Sequence, residues 1–362
     1  MVTVKPRAVA CVFLSILMVK EVYMVIFVTG GAGYIGSHTI LELLNNGHDV
    51  VSIDNFVNSS IESLKRVEQI TNKKIISYQG DIRDKNLLDE IFSRHHIDAV
   101  IHFASLKSVG ESKLKPLEYY SNNVGGTLVL LECMKRYNIN KMIFSSSATV
   151  YGNNSIPPHT EDRRIGETTN PYGTSKFIIE IILSDYCDSD NNKSVIALRY
   201  FNPIGAHKSG MIGENPNGIP NNLVPYISKV AQNQLPVLNI YGNDYPTKDG
   251  TGVRDYIHVC DLAKGHVKAL EYMFLNDVNY EAFNLGTGQG YSVLEIVKMF
   301  EIVTKKSIPV AICNRREGDV AESWASADLA HKKLSWKAEK KLKEMIEDVW
   351  RWQTNNPNGY KK

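Results

Sequence analysis

Cysteine is sparse in this chain, neither sign of charge is in excess, and no apolar run is long enough to cross a membrane. Five cysteines, Cys11, Cys133, Cys187, Cys260 and Cys313, are spread over 362 residues. Their number is odd and none forms a Cys-x-x-Cys pair. That argues against a disulfide framework and a zinc site, and no metal is expected. Each reads as a small buried apolar residue, and a reducing, cytoplasmic setting is the expected one. Lys and Arg total 41 against 39 Asp and Glu, a net charge of +2. With that balance, and without a basic run carrying interleaved aromatics, neither nucleic acid nor a membrane is expected as a partner. The apolar run over residues 8–19, behind Lys5 and Arg7, is far shorter than the roughly 20 residues a span needs. It has no clear small-x-small cleavage site. Residues 1–23 are expected to be a non-core extension.

What is present is the material of an α/β core. Apolar residues make up 43% of the chain. β-Branched runs at 25–29, 50–54, 75–78, 99–103, 141–145 and 195–200 read as strands, with amphipathic stretches between them. Strands that are continuous apolar runs, spaced by helices, imply a parallel sheet covered on both faces. The expected fold is a Rossmann-type doubly wound sheet over 24–202, with a smaller α/β substrate domain over 203–362 and possible chain crossovers between the two. The second part opens with Gly/Pro/Asn-rich loops. It closes with a helix whose apolar stripe is Leu342, Met345, Ile346, Val349 and Trp350, an ordinary packing face.

Two motifs carry chemistry. Gly30-Gly31-Ala32-Gly33-Tyr34-Ile35-Gly36 follows the first strand and opens the first helix. Glycines at 30, 33 and 36 allow a tight turn, approach to a pyrophosphate, and close helix–strand packing. Free N–H groups at the helix start then face the phosphates. Asp54 ends the second strand, where a carboxylate accepts from a ribose diol and repels a 2′-phosphate, so NAD is expected over NADP. The second motif is Tyr172-x-x-x-Lys176 on a helix that Asn170 caps and Pro171 begins. At i and i+4 the two side chains share a face. A phenol of pKa ~10 is a poor base, and a nearby ammonium is expected to favour the phenolate. Ser147, past the end of the fifth strand, would hydrogen-bond the reacting oxygen.

Together these features resemble the extended short-chain dehydrogenase/reductases, and more closely their UDP-galactose 4-epimerase branch. The resemblance runs from Met24 to Tyr360. It rests on the glycine loop, Gly80-Asp81-Ile82-Arg83, His102-Phe103-Ala104-Ser105-Leu106-Lys107, the stretch from Ser145 to Gly152, the Tyr172 helix start, and the run from Arg315 to Asp319. Position by position it implies NAD contacts at Tyr34, Ile35, Asp54, Asn55, Asn58, Ser59, Asp81, Ile82, Phe103, Ala104, Lys107, Asn122, Lys176 and Phe201. It implies catalysis by Ser147, Tyr172 and Lys176. It implies UDP-sugar contacts at Ser147, Tyr172, Asn202, Asn222, Leu223, Asn239, Tyr241, Arg254, Arg316, Asp319 and Ser323. Arg254 and Arg316 suit a diphosphate because guanidinium groups bind it bidentately. Ser105 departs from the smaller residue often found there. The implied reaction oxidises the sugar at C4, turns the 4-keto sugar over, and reduces it on the other face. A 4,6-dehydratase of the same fold would commonly carry Asp-Glu where this chain has Ala148-Thr149. A non-catalytic dinucleotide sensor would be expected to lack the Tyr or the Lys. Ser323 matches a position beside the sugar's 2-substituent, where a small residue goes with acceptance of N-acetyl sugars. A homodimer is implied, with apolar surface from Leu128, Leu130, Leu131, Ile178, Ile181 and Ile182.

Overall fold

The first glycine loop is preceded by a strand that is almost wholly buried, and the rest of the chain is arranged around it. The computed structural model describes residues 23–361 except 154, 155, 219 and 317. Of the extension expected over residues 1–23, all but Tyr23 lies outside the described residues. The first half alternates β1 (Val25–Thr29), α1 (Tyr34–Asn45), β2 (Asp49–Asp54), α2 (Ile61–Thr71), β3 (Ile76–Gln79), α3 (Lys85–Arg94) and β4 (Ala99–His102). Then come α4 (Val109–Leu114), α5 (Pro116–Tyr119), α6 (Gly126–Arg136), β5 (Lys141–Ser147), α7 (Pro171–Asp188) and β6 (Ser194–Tyr200). The second half holds β7 (Asn202–Ile204), α8 (Leu223–Ala231), β8 (Leu238–Tyr241), β9 (Val253–His258), α9 (Val259–Leu275) and β10 (Tyr280–Leu285). It ends with β11 (Gly290–Ser292), α10 (Val293–Thr304), β12 (Val310–Cys313), β13 (Glu322–Ser323), α11 (Asp328–Leu334) and α12 (Leu342–Asn355).

The main sheet is parallel throughout, in the order β10-β6-β5-β4-β1-β2-β3. The winding direction reverses between β1 and β4, and such a switch point opens a crevice at the carboxyl ends of the strands. Gly30 leaves β1 there, and Phe103 and Ala104 leave β4 beside it. Helices α1 and α9 cover one face, with Ile40, Leu43, Leu262 and Leu270 buried. Helices α3, α6 and α7 cover the other with Leu88, Leu130 and Leu183. A third core joins β8, α8, α10 and α12 through Ile227, Phe300 and Ile346. The stripe predicted for the last helix packs here, with Trp350 at its edge.

Several expectations are corrected. The outermost strand β10 was not anticipated, and it comes from the second half of the chain. Strand β5 runs on to Ser147 instead of ending at Ser145, because the polar serine side chains find buried partners. A π-helical turn, Tyr120–Gly125, separates α5 from α6. Its widened turn carries Asn123, wholly buried, whose side chain bonds Leu106 N (2.8 Å), Leu106 O (3.0 Å) and Ser175 Oγ (3.0 Å). Of the apolar surface expected for a partner, Leu130 and Leu131 are buried against the sheet, while Leu128 and Ile181 are exposed.

Candidate active site

Helix α7 starts where Asn170 Oδ1 accepts from Gly173 N at 2.9 Å, with Pro171 in the first turn. That start sets three side chains on one face at i, i+4 and i+8: Tyr172, Lys176 and Glu180. Each engages the end of β5. The Tyr172 hydroxyl bonds Ser147, whose Oγ also accepts from Thr149 N (3.2 Å) and Thr149 Oγ1 (3.0 Å). Lys176 Nζ donates to the Ser145 carbonyl at 2.7 Å and lies 4.9 Å from the Phe144 ring centre. Glu180 accepts from the Ser146 hydroxyl. The expected Ser147, Tyr172 and Lys176 are thus brought together, whereas Glu180 was missed. Its spacing, four residues beyond Lys176, was the available signal.

The electrostatics differ from expectation. Burial lifts the Tyr172 phenol above its ordinary value, and the Ser147 hydrogen bond offsets only part of the rise. Burial pulls Lys176 down to about 7, with Glu180 pulling it partly back. In the protein alone, desolvation therefore outweighs the stabilisation of a phenolate that the Tyr–Lys spacing had led us to expect. Glu180 is held by a buried network. Arg199 Nη2 donates to its Oε2 at 2.7 Å and Arg199 Nε to its Oε1 at 3.1 Å, while Tyr280 OH donates at 3.2 Å.

The glycine loop fits a dinucleotide pyrophosphate by its shape. Gly30 has φ +69°, and a Cβ there would sit 2.8 Å from Ala104 N. A Cβ on Gly36 would meet Gly30 O at 2.4 Å, so helix and loop touch as the spacing predicts. Gly33 caps α1 with no side-chain hydrogen bond, which leaves the helix start to an anion. Asp54 Oδ2 accepts from Ala32 N (3.0 Å), and Oδ1 accepts from Phe56 N (2.9 Å) and Ser59 Oγ (2.7 Å). A carboxylate offers about four acceptor sites, so one remains for a ribose hydroxyl. Asn55 Nδ2 donates to Asp81 (3.2 Å), whose carboxyl is held down to about 2, mainly by Arg83. Ile82 and Phe201 are buried. Asn122 donates to Asn123 at 3.0 Å, and Tyr34 OH donates to the Gly205 carbonyl at 2.7 Å. Helix α1 continues from Tyr34 through Ile35.

The remaining expected residues lie on the second half. Asn202 on β7 pairs with Tyr256 on β9, and Arg254 on β9 pairs with Ser323 on β13. Arg316 stacks over Tyr241 at 3.8 Å, two residues along β8 from Asn239, and Asp319 N returns to the Arg316 carbonyl at 3.2 Å. Asn222 caps α8 without a side-chain bond to that helix, and Leu223 follows it. His159, unremarked in the sequence, holds Ser323 Oγ at 3.2 Å and stacks on Tyr151 at 4.7 Å. Burial takes this imidazole down to about 4, with Arg163 adding to the effect, so it is neutral near pH 7. Among the described residues no group of His, Cys, Asp and Glu is arranged to hold a metal, and no helix is long and apolar enough to cross a membrane.

A parallel sheet with a dinucleotide loop at its switch point and Ser, Tyr and Lys at a neighbouring strand end defines the extended short-chain dehydrogenase/reductase class. The family model described as GDP-mannose 4,6 dehydratase matches residues 27–349. The UDP-glucose 4-epimerase of Bacillus subtilis (strain 168) is 56% identical over 338 residues, covering 93% of this chain and 99% of that one. The crystal structure of UDP-glucose 4-epimerase from Bifidobacterium longum, in complex with NAD+ and UDP, superposes with a TM-score of 0.90 at 54% identity, covering 92% and 99% of the two chains. The UDP-Glc/GlcNAc 4-epimerase of Campylobacter jejuni gives 0.80 at 32% identity, covering 92% and 99%. The chain belongs to the UDP-glucose 4-epimerase family.

Proposed function

We infer that this protein is an isomerase that interconverts UDP-glucose and UDP-galactose with NAD. The observation that carries the reading is the Ser147–Tyr172–Lys176 set at the end of β5, in a chain this similar to UDP-glucose 4-epimerases along nearly its whole length. NAD, when bound, supplies the acceptor and donor for the two electrons exchanged at C4. The chain's residues do the rest. Tyr172 takes the proton from the 4-hydroxyl and returns it, and Ser147 orients that oxygen. Lys176 contributes positive charge beside the phenol, which lowers the cost of the phenolate. Gly30, Gly33 and Gly36 shape the pyrophosphate cradle, and Asp54 takes the ribose. Arg254 and Arg316 hold the UDP diphosphate. We assign the dinucleotide to residues 24–202 and most UDP-sugar contacts to 203–362. A dehydratase is disfavoured because Ala148-Thr149 offers no acid–base pair after Ser147; Thr149 is spent on Ser147 itself. Turnover of purified protein on UDP-glucose, UDP-galactose and their 2-acetamido analogues tests the reading.

Asp54→Ala removes both the ribose acceptor and the bond to Ala32 N in the glycine loop. Hydrogen bonds to charged groups contribute about 1.5–3 kcal/mol each. NAD affinity should fall by at least roughly tenfold, and discrimination against NADP should shrink. Titration of both dinucleotides checks this; unchanged affinity for the two removes Asp54 from the ribose site.

We also assign the wider substrate range. Ser323 is small, its hydroxyl engaged by His159, and a side chain of that size is what acceptance of an acetamido group calls for. UDP-N-acetylglucosamine and UDP-N-acetylgalactosamine should therefore be interconverted too. Ser323→Tyr should lower turnover of the acetylated pair by about 10–200-fold while UDP-galactose turnover survives, the range that one group in a pocket discriminates by (~1–3 kcal/mol). Equal loss on both pairs, or no native activity on the acetylated pair, contradicts the assignment.

The protein is assigned as a cytoplasmic homodimer. Leu114, Leu117, Leu128 and Ile181 are exposed on α4–α7, and Leu114 and Leu117 are 84% and 81% exposed. Sedimentation at micromolar concentration should give twice the chain mass, and a monomer refutes the dimer.

A further inference from the structure

The described residues of 205–222, between β7 and α8, touch both halves of the site. Their base is fixed to the C-terminal part of the chain. Trp352 Nε1 donates to the Glu214 carbonyl at 3.1 Å, and the Tyr360 hydroxyl lies 3.2 Å from both N and O of Gly213. Arg66 Nη1 donates to the Met211 carbonyl at 3.0 Å, with its guanidinium 5.1 Å from the Tyr360 ring centre. Further along, the loop reaches the dinucleotide side. Asn217 donates from N to Asn58 Oδ1 (3.1 Å) and from Nδ2 to the Val57 carbonyl (2.8 Å). Asn221 Nδ2 reaches Ser108 Oγ at 3.4 Å.

Between these anchors stands Glu214, its side chain 10% exposed. One oxygen, Oε1, accepts from Lys107 Nζ at 3.5 Å and from Asn222 Nδ2 at 3.1 Å. Lys107 is the residue assigned to the dinucleotide, and Asn222, at the cap of α8, is one assigned to the UDP-sugar. A carboxylate at this depth needs its donors, so displacing either residue changes what the other is bonded to. After burial itself, the Glu214 charge is the next contributor to the raised pKa of the Tyr34 phenol, which places the carboxylate close to the start of α1 as well.

We propose that Glu214 couples the two sites, so that a uridine nucleotide bound at Asn222 slows release of NAD held beside Lys107 and Asn58. This rests on the residue assignments given above. A nucleotide that fixes Asn222 fixes Glu214, and through it Lys107 and the loop lying on residues 57 and 58. Linkage requires the effect to be reciprocal: NAD tightens UDP binding by the same factor.

The test is the rate of NAD loss from the purified holoprotein into an NAD-consuming trap, with and without saturating UDP. In the native protein UDP should slow the loss by about tenfold, within the usual range of coupling between sites. Glu214→Ala should bring that ratio to about one. Glu214→Gln keeps an oxygen acceptor for Asn222 but not the charge for Lys107, and should give an intermediate ratio; it also serves if the alanine variant does not fold. A native ratio near one, or a native-like ratio in both variants, overturns the proposal. Two controls separate this from failure of the assignments. Lys107→Ala should speed NAD loss without UDP, and Asn222→Ala should weaken UDP binding directly. If neither does, the assignments fall and the coupling with them.

Discussion

Tyr172→Phe should lower turnover of UDP-galactose by about 10²–10⁴-fold, the usual contribution of a positioned acid–base group, while NAD stays bound. The substitution removes one oxygen. The ring keeps its place on the α7 face and Lys176 keeps its bond to the Ser145 carbonyl. What is lost is the proton acceptor at the 4-hydroxyl and the hydrogen bond with Ser147. Because burial already lifts the Tyr172 phenol, the native protein must supply the phenolate from positive charge nearby, and Lys176 is the chain's own source. Lys176→Met should then depress turnover at neutral pH more than at alkaline pH, where Lys176, held down to about 7 by burial, is itself uncharged and the two proteins differ less. Steady-state kinetics and absorbance of the retained dinucleotide measure both. Native-like activity in Tyr172→Phe would remove this residue from the chemistry.

Glu180→Ala should have the largest effect on stability. Its carboxylate is buried with Arg199, and the pair is 1% and 5% exposed. Removing one partner of such a pair leaves a stranded charge and costs about 3–5 kcal/mol. Arg199 would keep only Tyr151 OH (3.1 Å) and the Glu161 carbonyl (3.3 Å). At about 2.1 cal/mol/K per residue, the loss corresponds to a Tm lower by about 4–7 °C for a chain of 362 residues. The double variant Glu180→Met/Arg199→Met strands no charge and should lose less than the sum of its singles. Thermal unfolding of the four proteins decides. Strict additivity would mean the pair is not energetically coupled.

The parts of this molecule that were legible in its sequence are those whose signal is local. The glycine loop, the strand before it and Asp54 lie within one βαβ unit, so spacing alone placed them. Tyr172 and Lys176 share a helix turn, and Asn170-Pro171 marked where that helix begins. The apolar runs of β1, β4 and β6 announced a sheet buried on both faces. What was not legible depends on distant partners. Strand β10 carries Tyr280 and Glu281 at its start, a mixed pattern that reads as strand only once β6 lies beside it. The serines at the end of β5 look like a loop until Glu180 and Lys176 satisfy them. Glu214 and Ser108 lie in loops, and each has a partner more than 100 residues away, Lys107 and Asn221 respectively. The pull of Lys176 on Tyr172 was misjudged for the same reason: spacing reveals the ammonium, whereas burial of both groups is a property of the folded sheet.

The most direct test of the central claim is the conversion of UDP-galactose by the purified protein without added NAD. The account predicts that UDP-glucose forms, that starting from UDP-glucose leads to the same final ratio, and that no reduced dinucleotide accumulates, because the cofactor ends each cycle as it began. Absence of conversion from protein that retains NAD, or formation of a 4-keto-6-deoxy sugar nucleotide, would contradict it.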